Sequence, residues 1–532
     1  MSYIRLTSPI VQENAIKRLP TIATTNVAGR QLCLNATRDD VLHQINDWIT
    51  NTNSEENILW LHGLAGSGKS TIARTVSVRT HPPVRNGAFL FFERGRHGQE
   101  CVITTLASEL ANLNPILRLQ ISAAIEEDPS IVRADLDKQF KYLILDPFIA
   151  AEARIDDIVL VVIDGLDEYG HKSQRRPLLS LISASFGELP NRLRFLITSR
   201  PESDIYAEFI DHSGVKALGL DADGAPIGAI RTYLVTQMAT IRKEKKDVLG
   251  PEWPGDNNLD ALAQMSEGLF IWASTLSEFL SGATRPDKRL QEVFSSNGKR
   301  HTKGVDNLYA TILSTQIPID DWEDPEQSAQ LRAALAIALF SATPLTDTAI
   351  DDLLRLDHGG SCRSVFGTLR SLLDYKPGWP IRPLHASFRD YLEDSSRSGK
   401  EHWTLANFDA HQYLTMCCSR IMESQLRFNI CDFPLSGGVR LSQRVETNIT
   451  EVLDYACRYW FHHLLEIQED PFPNSLEQWL ESFITQKLFW WSEVLCVTSN
   501  TEEVSRAFNN TLRVPFVSSS RSVSVIYNDK YL

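Results

Sequence analysis

The sequence predicts an α/β unit built on a parallel sheet, followed by helical and winged-helix domains and an α-helical C-terminal region. Three observations lead there. A glycine-rich octet lies between an apolar run, "NILWL" (57–61), and a helix-patterned run, "KSTIARTVSV" (69–78). Further runs that are apolar throughout recur up to about residue 220, separated by helical patterns. Strands buried on both faces and spaced by helices make a parallel sheet covered on both sides. After residue 225 the strand signal fades and helical periodicity takes over.

The segments follow in order. Residues 1–36 carry no strong period and are expected to be loose. "TRDDVLHQINDWIT" (37–50) places Val41, Leu42, Ile45, Trp48 and Ile49 on one helical face, with Thr37 as the expected N-cap and Asp40 three residues on. "AFLFF" (88–92) is a strand, "VITTLASELANL" (102–113) a helix, "DDIVLVVIDGLDE" (156–168) and "RLRFLITSRPE" (192–202) are strands ending in polar residues, and "VKALGL" (215–220) is a fifth strand. These make a domain at 37–222. A helical domain at 223–325 holds "AIRTYLVTQMATIRKE" and "LDALAQMSEGLFIWASTLSEFL", the latter a helix pair or one helix bent at Gly268. At 326–398, helices lead to a short strand-turn-strand around "KPGWP" and then another helix, a winged-helix outline. Residues 399–532 are helical and rich in tryptophan, with Trp460, Trp479, Trp490 and Trp491.

The octet Gly63, Leu64, Ala65, Gly66, Ser67, Gly68, Lys69, Ser70 is a complete G-x-x-x-x-G-K-[ST] phosphate loop. Its glycines let backbone N–H groups turn toward phosphate oxygens, and the following helix points its amino end the same way. Lys69 reaches the β- and γ-phosphates, the Ser70 hydroxyl is a short Mg²⁺ ligand, and Thr71 falls near the α-phosphate. The fold class is therefore an α/β P-loop NTPase. Its partner is a strand ending in aspartate, expected next to the first strand, and "IVLVVID" delivers Asp164 for the magnesium shell. Asp167 and Glu168 follow; either polarises the attacking water, Glu168 in the usual geometry, or both cap the next helix. Thr198, Ser199 and Arg200 end the strand expected beside that of Asp164, where a hydroxyl or guanidinium senses the γ-phosphate, or Arg200 pairs with an acid at the sheet edge. "DEYG" (167–170) formally contains D-x-x-G, but no N-K-x-D follows to read guanine, so adenine is favoured. The long helical remainder is more than small-molecule kinase chemistry needs.

Composition narrows the class further. The formal net charge of −14 argues against an extensive nucleic-acid surface. The eight cysteines show no C-x-x-C pairing, which suits free thiols in a reducing compartment. The longest apolar run, "LRAALAIALFSATPL" (331–345), contains Arg332 and is too short for a membrane span. A soluble, cytoplasmic protein is expected.

The runs "ILWLHGLAGSGKSTIARTV", "LVVIDGLDEYG", "RFLITSRPE" and "MSEGLFIWAS", in that order, resemble the NACHT class of STAND ATPases, the fungal branch most of all. The resemblance covers roughly 35–395, and "YACRYWFHHL" (455–464) resembles the helical stretch that follows in fungal members. It implies an AAA+/STAND-like switch using ATP/ADP and Mg²⁺: ADP keeps it closed, and exchange for ATP opens it for self-association. It also implies slow ATP hydrolysis, an unknown protein partner or effector subunit, and signalling of the fungal innate-immunity or programmed-cell-death kind. A winged-helix histidine in an "H-x-S-F-x-x-F"-like segment touches the ADP β-phosphate in related receptors. "LHASFRDYL" matches it with His385, and Tyr391 stands at or beside the usual aromatic. Where fungal members have "D-A-L-D-E-C", this chain has Gly165 and Tyr169 with the acids intact. About 60 residues precede the loop, and no sensor repeats are evident, so the chain is read as truncated, degenerate or dependent on another subunit. A constitutive ATPase, or a scaffold with a vestigial site, is the alternative.

Overall fold

A computed structural model describes residues 8–22, 32–34, 37–51, 54–92, 101–170, 172–220, 225–296, 304–355, 362–399, 401–405, 410–433, 441–467 and 474–498. The weakly patterned C-terminal stretch from 499 lies outside them. The chain divides into two compact units, Met1–Leu308 and Tyr309–Leu532.

The first unit is built on strands β1 (Ile58–His62), β2 (Val84–Phe91), β3 (Ile158–Asp164), β4 (Leu193–Ser199) and β5 (Val215–Gly219). All neighbours are parallel, in the order β2-β3-β4-β1-β5. Side chains alternate across a strand, and each face has its own helix layer. Ile58 and Trp60 point to one layer with Val161, Ile163, Phe195 and Ile197. It is covered by α4 (Val102–Leu113), α5 (Pro115–Glu127) and α6 (Lys172–Ser185), through Leu106, Leu110, Ile121 and Leu178 among others. Leu59 and Leu61 point the other way with Leu160, Val162 and Leu196. There α2 (Asp39–Thr50) contributes Val41, Ile45, Trp48 and Ile49, and α3 (Lys69–Val78) contributes Ile72, Ala73 and Val76.

Three expectations need correction. The aspartate strand β3 is not next to β1: β4 lies between them, with Ile197 opposite both Trp60 and Ile163. The amino-terminal segment is not wholly loose. Helix α1 (Pro9–Ile16) buries Ala15 and Ile16, and Leu19 and Ile22 follow into the same core; Ile22 N donates to Thr105 Oγ1 at 2.8 Å. The N-cap position of α2 belongs to Arg38, while the Thr37 hydroxyl donates to Leu34 O at 2.6 Å and closes the preceding turn.

Past the sheet the first unit is helical: α7 (Ser203–Phe209) precedes β5, and α8 (Ile227–Glu244), α9 (Asp256–Met265), α10 (Phe270–Ser281) and α11 (Pro286–Ser296) follow it. The break between α9 and α10 comes at Glu267 and Gly268, both with positive φ, so the sequence's apolar stretch is a helix pair. The division between the units falls within helix α12 (Gly304–Gln316), whose residues from Tyr309 onward belong to the second unit.

The second unit has a winged-helix-like part: α13 (Pro325–Phe340), α14 (Asp347–Leu354), α15 (Arg363–Thr368), the antiparallel pair β6 (Leu373–Asp374) and β7 (Arg382–Pro383), and α16 (Ala386–Glu393). Helices α17 (Ala410–Gln425), α18 (Leu441–Asn448), α19 (Glu451–Leu465), α20 (Asn474–Ser482) and α21 (Leu488–Val497) complete it. Trp460 gathers Trp479, Phe483 and Trp491 within ring distances of 5.0–6.2 Å, which gives the tryptophan-rich end its core. All eight cysteines are free, and no helix of the described residues is long and apolar enough to cross a membrane.

Asp347 organises the wing. Its buried carboxylate accepts from Tyr375 OH at 3.0 Å, Gly378 N at 3.0 Å and Arg363 Nε at 2.9 Å. Burial opposes its ionisation, but the Gly378 amide, the Tyr375 hydroxyl and Arg363 outweigh that and hold it below the ordinary 3.8. Asp347→Ala should cost the second unit about 2–4 kcal/mol, because a buried phenol and an amide lose their acceptor. The wild-type advantage should be complete above pH 3.8 and fade as pH falls through the lower folded value. Chemical denaturation of both forms measures it, and equal midpoints at neutral pH contradict the assignment.

Candidate nucleotide-binding site

The octet forms the turn between β1 and α3. Gly66 and Gly68 have φ of 77° and 93°, in the left-handed region that favours glycine. Gly68 is the N-cap of α3 and offers no side chain to its first amides, which leaves that amino end to be capped by an anion. Ser67 Oγ is buried and, among the described residues, has no hydrogen-bond partner. A left-handed glycine turn, an uncapped helix start and an orphaned buried hydroxyl fit a phosphate group. Lys69 Nζ donates to the loop's own carbonyls, Gly63 O and Leu64 O, both at 2.8 Å. Burial pulls this ammonium down from 10.5 to about 8; Asp167 opposes that, Arg200 adds to it, and Asp164 and Glu168 oppose it. Burial, and then the Lys69 charge, also lower the imidazole of His62, which packs on Trp60 with ring centroids 4.3 Å apart.

Beyond the loop, one atom draws the site together. Asp164 Oδ1 accepts from Ser70 Oγ at 3.0 Å and from Thr198 Oγ1 at 2.5 Å. Asp164, Thr198 and Ser199 are all fully buried. Strand alternation sends Thr198 to Asp164 and Ser199 to the other face, where its Oγ accepts from Trp60 Nε1 at 2.8 Å. Among the described residues no three His, Cys, Asp or Glu side chains gather as a metal site. Ser70 and Asp164 offer two oxygens on one spot, and Mg²⁺ commonly takes one or two protein oxygens and completes its shell with water and phosphate. Of the residues expected at the site, Gly63, Ala65, Gly66, Ser67 and Gly68 thus form one turn, Lys69, Ser70 and Thr71 open the helix that follows it, and Asp164, Asp167, Glu168 and Arg200 bear on the Lys69 charge.

Asp167 and Glu168 lie in the single helical turn Leu166–Glu168. The Asp167 carboxylate accepts from Arg200 N at 3.0 Å and pairs with Arg200 Nε at 3.3 Å, so of the two roles open to Arg200 this structure displays the pairing with an acid. His385 belongs to the second unit. Its Nδ1 accepts from Ser387 N at 3.1 Å as the N-cap of α16, and Ser387 Oγ lies 2.7 Å from the same nitrogen. An amide can only donate, so Nδ1 is bare and the ring proton of the neutral histidine sits on Nε2. Tyr391 is buried and accepts from Trp403 Nε1 at 2.9 Å.

The structure adds residues that motif spacing does not single out. Arg38 Nη2 donates to Ser67 O at 2.6 Å, and its guanidinium lies 5.2 Å from the Phe270 ring centroid. Ile271 N donates to Gly66 O at 3.2 Å. The start of α10 therefore lies directly on the glycine loop. Only "GLFIWA" among the resemblance motifs pointed there, with no residue named.

Residues 37–200 match the family model described as Nephrocystin 3, N-terminal. No curated protein matches the sequence. Among solved structures, the chain is similar to a STAND protein with a tetratricopeptide repeat sensor from Pyrococcus horikoshii, at 12% identity and a TM-score of 0.42, over 95% of this chain and 67% of that one. It is also similar to a Walker-type ATPase of Pyrococcus abyssi, at 14% identity and a TM-score of 0.34, over 68% of this chain and 98% of that one. Both TM-scores lie below 0.5; the parallel strand order and the left-handed glycine loop define the fold.

A methyl group built on Gly66 would lie 2.0 Å from Ile271 Cγ2. Gly66→Ala should therefore destabilise the nucleotide-free first unit by about 1–2 kcal/mol for the left-handed backbone and about 1–3 kcal/mol for the collision. Adding Ile271→Ala should recover the second part alone. Thermal unfolding of the two variants measures this, and a Gly66→Ala protein as stable as wild type contradicts the packing.

Proposed function

We propose that the chain is an adenine-nucleotide switch of the STAND type, and of the NACHT class within it. ADP holds it closed, exchange for ATP opens it for self-association, and slow hydrolysis resets it. The observation that carries this reading is the meeting of Ser70 and Thr198 on one oxygen of Asp164, beside a glycine loop that holds Lys69. The match of 37–200 to the Nephrocystin 3 N-terminal family is in keeping with it.

In this reading the glycine loop, Lys69 and the start of α3 hold the phosphates, with Thr71 beside them. Ser70 and Asp164 hold Mg²⁺, which when bound supplies positive charge against the phosphate oxygens. Glu168 takes the proton of the attacking water, and Asp167 anchors Arg200 until Arg200 turns to the γ-phosphate. His385 offers its Nε2 proton to the β-phosphate of ADP and so ties the winged-helix part to the nucleotide. The domain limits proposed are 37–222, 223–325, 326–398 and 399–532. The setting proposed is cytoplasmic signalling of the fungal cell-death kind, with a protein effector as partner.

The Lys69 ammonium gives the reading a pH signature. Burial holds it at about 8, and phosphate charge beside it would raise it again. Below pH 8 lysine is already charged and binding needs no proton. Above it, binding must take one up, so ADP affinity should fall up to about tenfold per pH unit between about 8 and 10. The unliganded fold shows the opposite sign: its folded value is depressed, so the cost of the buried charge is full below about 8 and recedes as pH rises toward 10.5. Lys69→Ala should weaken ADP binding at pH 7 at least about tenfold, the loss of a charged hydrogen bond, and flatten the pH dependence. Calorimetric titration across pH tests both, and equal affinities for wild type and mutant contradict the site.

The switch is tested by mass. Glu168→Gln should bind ATP as wild type does, hydrolyse it at least about tenfold more slowly, and accumulate in a larger species. With ADP it should keep the small form. Light scattering that shows the same mass with either nucleotide contradicts the switch, and steady wild-type turnover with no change in mass favours a constitutive ATPase.

A further inference from the structure

Arg175 is a charged side chain with 1% exposure at the start of α6. Its donors all reach toward two short segments at the carboxyl edge of the sheet. Nη1 donates to Asp167 O at 2.6 Å. Nη2 donates to Glu202 Oε2 at 2.7 Å and Asp204 Oδ2 at 2.8 Å, and Nε donates to Asp204 Oδ2 at 3.0 Å. A second tie runs parallel to these, from Lys172 Nζ to Ser203 Oγ at 3.1 Å. Asp167 closes a ring: its carbonyl receives Arg175, while its carboxylate receives Arg200 N at 3.0 Å and faces Arg200 Nε at 3.3 Å. The acidic turn Leu166–Glu168 and the chain that leaves β4 are thereby held as one piece.

We propose that Arg175 is a positioning residue for the acidic turn. It fixes Glu168 through the Asp167 carbonyl, and its bonds to Glu202 and Asp204 brace that clamp from the chain that leaves β4. The proposal rests on the ATPase reading of the site given above. A guanidinium suits the task because its rigid planar fork meets a carbonyl and two carboxylates at once, which a lysine ammonium does not reproduce. Without it, Glu202 and Asp204 lose their counter-charge beside Asp167. Their side chains are 28% and 24% exposed, so they can turn to water, and the acidic turn is released while the sheet stays intact.

The nucleotide-free protein gives the first readout. By hydrogen exchange, Arg175→Met should speed amide exchange at least fivefold in segments 165–170 and 199–204, and leave the phosphate loop at 63–70 unchanged. The second readout is a cycle with Glu168→Gln. Arg175→Met alone should slow single-turnover ATP hydrolysis about tenfold with ADP affinity within threefold of wild type. In the Glu168→Gln background it should cost no further rate, because a residue acting only through Glu168 has nothing left to position. Arg175→Lys should recover less than half of the loss. If Arg175→Met does not fold, Glu202→Gln combined with Asp204→Asn opens the same clamp from its exposed side and should reproduce both readouts. Unchanged exchange in the two segments, or an additive loss of rate with Glu168→Gln, overturns the proposal. A Glu168→Gln protein that hydrolyses ATP at the wild-type rate instead overturns the role given to Glu168. The exchange readout then judges the clamp alone.

Discussion

One carboxylate oxygen holds the site together. Asp164 Oδ1 takes a hydroxyl from Ser70, at the start of α3, and another from Thr198, near the end of β4. Asp164 is fully buried, and a buried carboxylate is tolerated only with such donors. Both hydroxyls need their hosts in place: Ser70 depends on the glycine turn, and Thr198 on β4 lying between β1 and β3. Gly165 N also donates to Thr198 Oγ1 at 3.1 Å, so the acidic turn begins from the same hydroxyl. Strand order, loop conformation and the position of Glu168 are thus linked through a few ångströms of polar contact at the sheet edge.

The cations around this atom have partners within the chain. Lys69 bonds to two carbonyls of its own loop, and Arg200 pairs with Asp167. Each partner is one that a phosphate oxygen could replace, at a net difference of about 1–3 kcal/mol per charged hydrogen bond. Differences of that size suit a two-state device, in which a ligand shifts populations only by its unequal affinity for the two states. In the second unit the capping bond of Ser387 fixes the tautomer of His385. Its donor proton is therefore set by local structure before any ligand is considered.

Much of this was legible in the sequence because it is local. The phosphate loop is a contiguous octet. Two-sided apolar strands such as "VLVVI" betray a covered parallel sheet, and the face Val41, Ile45, Trp48, Ile49 declares its helix by period. What was not legible is non-local. The place of β4 between β1 and β3 follows from packing of the whole layer, and no residue in "RFLITS" announces its neighbours. Helix α1 escaped because only its last turn is buried, so it lacks an amphipathic stripe to read. The N-cap moved by one residue from Thr37 because the chain becomes helical only at Asp39, while the Thr37 hydroxyl donates to Leu34 O in the turn before it. Arg38 acts through Ser67, 29 residues away, Arg175 through Asp167, Glu202 and Asp204, 8, 27 and 29 residues away, and Ile271 through Gly66, farther still. Their residue types alone would have suited a solvated arginine or an ordinary core isoleucine.

The central claim is that this geometry retains an adenine nucleotide. The most direct measurement is acid extraction of the purified protein followed by chromatographic identification and quantification of the released nucleotide. The account predicts ADP at close to one molecule per chain, and its loss from Lys69→Ala protein. A wild-type protein that releases no nucleotide and does not take up added ADP, or that takes up guanine and adenine nucleotides equally, contradicts it.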